Sequence, residues 1–246
     1  MLLEVSNLSV SANGKKILTN LNLNINEGEV HTIMGPNGTG KSTFANVISG
    51  KDSYDITDGS IKLSSKDLSQ IPSDERARLG IFMSFQHPIE IPGVSWNSFL
   101  KASINSVRKE QGKDDINPID FLKELKEKAK LLKIDFKLLK RDVNYGFSGG
   151  EKKKFEILQM LLLQPKLAIL DEIDSGLDVD ALKIISKNIN DFRSKENAII
   201  IITHYNRLLN YVVPDFVHIF SSGTIAKSGD KNLAKQVEDQ GYDDFK

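Results

Sequence analysis

The sequence predicts an α/β fold in which central parallel strands carry the functional loops and a helical unit is inserted between them. Three observations predict it. A short apolar strand, a glycine-rich loop and a helix follow one another between residues 30 and 50; two further apolar runs of strand length end in polar residues; and the pattern turns helical between Pro88 and Asn144.

Val30 to Met34 reads as a buried strand, and Ser42 to Ser49 as a helix closed by Gly50. The segment between them, Gly35-Pro36-Asn37-Gly38-Thr39-Gly40-Lys41-Ser42, fits the spacing G-x-x-x-x-G-K-[ST]. Gly35, Gly38 and Gly40 allow backbone angles closed to other residues. Successive N–H groups can then converge on phosphate oxygens beside the positive end of the helix dipole. Lys41 supplies a point charge for the β and γ phosphates, and Ser42 a hydroxyl for Mg²⁺, with Thr43 next to it. The chain is expected to bind a nucleoside triphosphate.

Ile81 to Phe85 is an apolar segment that ends at Gln86, whose amide can reach Mg²⁺ or a water and follow movement of the residues after it. After Pro88, Trp96 to Lys109, Ile119 to Leu132 and Phe136 to Leu139 show helical spacing, with Gln111 to Asp115 as a polar break. Phe147-Ser148-Gly149-Gly150-Glu151 then leads into a helix over Lys152 to Leu163. Ser148 stands three residues before Glu151, a capping-box spacing. Paired glycines are not needed to start a helix, whereas close approach of backbone to phosphate does need them.

Leu167 to Leu170 has the continuous apolar character of a strand covered on both faces, and it ends in Asp171-Glu172. Open α/β sheets bind ligands at the C-terminal edge of such strands. There Asp171 can hold Mg²⁺, directly or through water, and Glu172 can polarise the water that attacks the γ phosphate. Ala198 to Ile202 repeats the pattern and leads through Thr203 to His204, placed to contact the γ phosphate and keep the water and Glu172 in register.

Composition excludes several classes. Lys+Arg and Asp+Glu are 33 each in 246 residues, so formal net charge is zero; this argues against nucleic acid or an anionic membrane as the main partner. There is no Cys, which excludes disulfides and any cluster or zinc site held by this chain's own thiolates. The start lacks a basic stretch followed by an apolar one, and the apolar runs are too short to cross a bilayer, so a soluble, cytoplasmic protein without a signal peptide is expected.

In this order the phosphate loop, Gln86, Ser148 to Glu151, Leu170 to Glu172, Ser175 to Asp178 and His204 resemble the nucleotide-binding subunit of ABC ATPases, over nearly the whole chain. The resemblance implies one ABC ATPase domain over 1–246, hydrolysing ATP to ADP and phosphate with Mg²⁺. It implies a RecA-like α/β core (1–86 and 152–246), an antiparallel β subdomain, and an inserted helical subdomain (87–151) that bears the signature motif. Two subunits would sandwich two ATP molecules head to tail. Each ATP would meet the phosphate loop of one copy and Ser148, Gly149 and Gly150 of the other, with Ser175 to Asp178 at the contact. Asn13 stands where many of these ATPases have an aromatic residue before the glycine that is here Gly14, which puts selectivity for adenine in doubt.

Finer stretches resemble the SufC branch, the ATPases of the SUF iron–sulfur cluster assembly system: Phe85 to Val94, Gly146 to Lys153, Asp171 to Asp178 and Glu238 to Tyr242. This implies SufB and SufD as partners, a transient dimer with a second SufC copy, and cluster ligands that lie on the partners. A plastid stroma or apicoplast location, after loss of a transit peptide, is the alternative to the cytoplasm. A transporter subunit with a membrane partner is the alternative function. Lys152, Lys153 and Lys154 face the expectation of an ion pair with the acidic loop, holding Glu172 or Asp174 away from water at rest; a solvated helix face is the plainer reading.

Overall fold

Strands β1 (Leu3–Ala12) and β2 (Lys15–Ile25) are joined by Asn13-Gly14 alone, with φ of +50° and +74°. Two left-handed residues in succession make the type I′ turn, whose twist matches that of the flanking strands, and Asn-Gly adopts it at least cost. Asn13 is there to turn the hairpin, and so no aromatic ring stands at that position. The computed structural model describes residues 1–204 and 206–245.

From the hairpin the chain enters β3 (Val30–Met34), buried at all five positions, and α1 (Lys41–Ser49), which Gly50 ends with φ +85°. β4 (Asp55–Leu63) returns antiparallel along β1 and the short β5 (Lys66–Asp67) follows, which gives an antiparallel sheet in the order β2-β1-β4-β5. Next come α2 (Ser73–Arg78) and β6 (Ile81–Ser84). The helical region begins with β7 (Ile91–Ser95), α3 (Trp96–Glu110) and α4 (Pro118–Leu131). Residues expected to continue as a helix at Phe136 to Leu139 form only a 3₁₀ turn at Leu138–Lys140, because the Asp135 side chain accepts from Lys137 N–H and ties the segment into a local turn. β8 (Asp142–Val143) pairs with β7, and α5 (Gly149–Leu163) follows. The remainder is β9 (Leu167–Asp171), α6 (Val179–Phe192), β10 (Ala198–Ile202), α7 (Asn206–Leu209), β11 (Phe216–Ser221), β12 (Thr224–Gly229) and α8 (Lys231–Gln240).

The six-stranded sheet has the order β12-β11-β3-β10-β9-β6, parallel from β11 to β6. Its strands read as unbroken apolar runs because both faces are covered, and the pleat deals alternate residues to two cores. Ile33, Leu167, Ile169, Ile200 and Ile202 pack with α1 and the antiparallel sheet. Ala168, Leu170, Ile199 and Ile201 pack with the helices from α3 onward, where fully buried Trp96 stacks at 4.5 Å on Phe155. Register aligns Ile33 with Ile202, Ile202 with Asp171, and Leu170 with Ser84. The residues that follow these strand ends therefore emerge along one edge: Gly35, His204, Glu172 and Gln86.

Candidate functional site

The loop after β3 needs its glycines for its own chain's sake. Gly35, Gly38 and Gly40 have φ of +150°, +80° and +101°. A Cβ on Gly35 would meet the Phe220 carbonyl oxygen at 2.4 Å, and one on Gly40 would meet Leu18 Cδ2 at 2.6 Å. Gly40 occupies the N-cap of α1 without any side-chain cap, so the first-turn amides of that helix remain available to an anion. Thr39 Oγ1 donates to the Pro36 carbonyl at 2.9 Å, and Lys41 Nζ bends back to the carbonyls of Gly35 and Pro36, both at 2.8 Å. Burial pushes the Lys41 ammonium pKa down, with the Glu172 and Asp171 charges pulling the other way.

Asp171, 2% exposed, ends β9. It accepts a hydrogen bond from Ser42, which lowers its pKa; burial outweighs this and holds the carboxyl above the usual range. Its Oδ1 is buried with no hydrogen-bond partner. Glu172 turns out of the strand in a left-handed conformation, φ +49°, fixed by its N–H donating to the Ile202 carbonyl at 2.9 Å. Both of its carboxylate oxygens are engaged. Gln86 Nε2 donates to Oε2 at 2.7 Å, and His204 Nε2 lies 3.1 Å from Oε1. Burial first, and then the Lys41 charge, hold the His204 pKa below its ordinary value, so a neutral ring donates Nε2–H to the carboxylate.

Asn37, Gly38, Gly40, Lys41, Ser42, Thr43, Gln86, Glu172 and His204 line one cleft of about 840 Å³, whereas Gly35, Pro36, Thr39 and Asp171 lie behind its wall. It is large enough for a nucleotide. Ser175, expected at the contact between copies, lines it as well, and so do Lys15 and Ile17, which no motif marks; the Asn13-Gly14 hairpin signal, which delivers β2 to the loop, is the clue to these two.

Ser148, Gly149, Gly150 and Asp178 do not line that cleft. The capping box at Ser148 is complete: Glu151 N–H donates to Ser148 Oγ at 3.3 Å, and Ser148 N–H donates to the Glu151 carboxylate at 2.8 Å. Asp178 caps α6 by accepting from Ala181 N–H at 2.7 Å. Among the described residues, the expected ion pair between the lysines and the acidic loop does not form. Lys152 pairs with Glu90 at 2.8 Å and Lys153 with Glu156 at 3.4 Å, while Asp174 accepts from Thr203 Oγ1 at 3.0 Å. Those carboxylates lie closer to the lysines along the fold, and Glu172 is already taken by Gln86 and His204.

A protein-family model described as ABC transporter matches residues 18–175. "Probable ATP-dependent transporter ycf16" of Cyanophora paradoxa is 52% identical over 98% of this chain and 93% of its own length. "Probable ATP-dependent transporter SufC" of Escherichia coli (strain K12) is 49% identical over 98% of this chain and 97% of its own. The dimeric structure of a bacterial ABC transporter cassette shares the fold, with a TM-score of 0.80 at 21% identity, covering 93% of this chain and 98% of that one. Among the described residues no helix is long and apolar enough to cross a membrane.

Proposed function

The chain belongs to the ABC ATPase family, and from that premise we propose that it is the ATP-hydrolysing subunit of a SufBCD-type complex that drives iron–sulfur cluster assembly. The observation that carries this reading is the pair of hydrogen bonds holding Glu172 between Gln86 and His204 above Lys41 and Ser42. The branch is supported by 49% identity to SufC over nearly the whole chain, and the absence of Cys leaves cluster ligands to the partners.

ATP would place its β and γ phosphates on the loop amides, with Lys41 exchanging its carbonyl bonds for phosphate oxygens. Ser42, Asp171 and Gln86 suit Mg²⁺: all three offer hard oxygen donors, and Asp171 Oδ1 is a buried acceptor without a partner. When bound, that ion would offset phosphate charge. Glu172 would take the proton of the attacking water on a lone pair that Gln86 and His204 leave free; His204 would leave Glu172 to donate its Nε2–H to the γ phosphate. The chain would act as one unit, with 1–86 and 152–246 as the catalytic core and 87–151 carrying the signature. Ser148, Gly149 and Gly150 do not line their own chain's cleft, so a second copy would supply them, with Asp178 at the contact.

SufB and SufD would dock on the groove of about 1120 Å³ beside Gln86, lined by Phe82, Phe85, Ile89 and Phe99 among others. The relatives' names keep a transporter reading in play. Purification of the chain from its source with its partners tests both: soluble scaffold proteins that raise phosphate release support the SUF reading. A membrane subunit recovered in their place would overturn it.

A further inference from the structure

Helix α5 sends a charged pair inward. Lys153 and Glu156 are 4% and 3% exposed, with Nζ and Oε2 3.4 Å apart. Both grip the main chain of a single residue, Phe85. Its N–H donates to Glu156 Oε1 at 2.6 Å, and its carbonyl accepts from Lys153 Nζ at 2.7 Å.

Stability alone does not account for such a pair. Removing two charges from water costs more than their attraction commonly returns, and apolar residues of the same volume often serve a fold as well or better. Burial raises the Glu156 carboxyl to about 7, even beside Lys153. What the pair provides is position. β6 is the outer strand of its sheet, so after Ser84 it has a neighbouring strand on one side only. Phe85 is 45% exposed, so its own packing anchors it little. The next residue is Gln86, which holds Glu172 at 2.7 Å.

We propose that Lys153 and Glu156 are positioning residues for ATP hydrolysis: they clamp the Phe85 peptide, set Gln86 against Glu172, and so transmit movement of the signature helix α5 to the catalytic carboxylate. The inference rests on the roles assigned above to Gln86 and Glu172. It links α5, whose first turn carries Gly149 and Gly150, to the Gln86 side of the cleft.

The test is the full chain carrying Lys153→Met together with Glu156→Leu, which removes both charges at similar volume. Its melting temperature and ATP affinity should hold while kcat falls about 10- to 100-fold, the scale of a small misplacement near reacting atoms. In a Gln86→Ala background the same pair of substitutions should cause no further loss, because the clamp acts through Gln86. Unchanged kcat overturns the proposal, and so does a loss that adds in full to that of Gln86→Ala. Should the double variant not fold, Glu156→Gln and Glu156→Ala take its place. Both remove the charge, but only the amide keeps an acceptor for Phe85 N–H, so equal turnover in the two overturns the clamp. Gln86→Ala and Glu172→Gln serve as controls. Wild-type turnover in those two means that the site has been misread, whereas impaired controls beside unimpaired clamp variants reject the clamp alone.

Discussion

Two glycine-rich turns start helices in this protein, and they use their glycines in opposite ways. In the loop before α1, Gly35, Gly38 and Gly40 all have positive φ, and a Cβ on Gly35 or Gly40 would strike its own chain at 2.4 or 2.6 Å. In the turn before α5, Gly149 and Gly150 have ordinary helical angles. A Cβ on Gly149 would meet nothing within 4 Å, and one on Gly150 only Leu177 at 3.9 Å. Glycine in a helix costs about 0.5 to 1 kcal/mol relative to alanine, and nothing inside this chain asks for it at Gly149 and Gly150. The first turn is shaped by its own fold to receive an anion. The second has no such cause within its own chain, and the proposed contact with a phosphate held by another copy would supply one.

The largest break in that comparison comes from the chemistry between the two turns. Glu172→Gln should keep ATP binding, which belongs to the first turn, and lower turnover by about 10² to 10⁴, the scale of a positioned base. With ATP bound and not consumed, the variant should accumulate a contact between two copies that cross-linking detects. Near-normal phosphate release would take Glu172 out of the mechanism.

Lys41→Ala attacks the first turn directly. Loss of a charge-assisted bond to phosphate should weaken ATP binding by about 1.5 to 3 kcal/mol, on the order of 10- to 100-fold, whereas His204→Ala should act mainly on kcat. If calorimetry finds the affinity of Lys41→Ala unchanged, the loop has been misassigned.

The glycines themselves sharpen the contrast. Gly40→Ala forces a Cβ into Leu18 at φ +101° and should cost about 1 to 3 kcal/mol of stability along with nucleotide binding. Gly149→Ala meets no such obstacle and should leave the melting temperature level or slightly higher, with ATP binding by the single chain intact and turnover lost. Equal destabilisation of the two variants would remove the distinction between a turn built for its own chain and one built for a partner.

Much of this was legible in the sequence, for physical reasons. β3, β9 and β10 are covered on both faces and so read as unbroken apolar runs, and the polar residues at their C-terminal ends mark the cleft. The antiparallel sheet was expected only from the family resemblance, since β2 alternates apolar and polar residues only in its second half. Lys153 is marked in the sequence only as one of three lysines expected to meet the acidic loop, and its burial against Glu156 was hidden. On a helix, lysines followed by an acid three residues on read as a solvated face. What buries them is the main chain of Phe85, 68 and 71 residues away in sequence, and no local pattern carries that information.

The smallest expected effect lies towards the end of β3 away from the phosphate loop, and it tests whether that end is independent of the cleft. Glu29 can only accept, so His31 donates Nε2–H to it at 3.0 Å; His31 Nδ1 then accepts from His218 Nε2 at 2.9 Å, and His218 Nδ1 from Ser228 at 2.8 Å. Burial, and next the charge of a protonated His31, push His218 down to about 4; burial also lowers His31, against the pull of Glu29 and Asp215. Well above pH 6.5 His218 is neutral in both the folded and the unfolded chain. As pH falls below that, the unfolded chain takes up a proton at residue 218 that the native chain refuses until about pH 4. The contribution is therefore present above pH 6.5 and lost on acidification, at a slope of no more than about 1.4 kcal/mol per pH unit for one histidine. His218→Gln removes that slope. The stability difference between the wild type and this variant, read from urea midpoints, should narrow as pH falls from 6.5 towards 4, while ATP affinity at neutral pH stays level. A difference that does not vary with pH would mean that His218 is not held neutral, and a change in affinity would tie the two ends of β3 together.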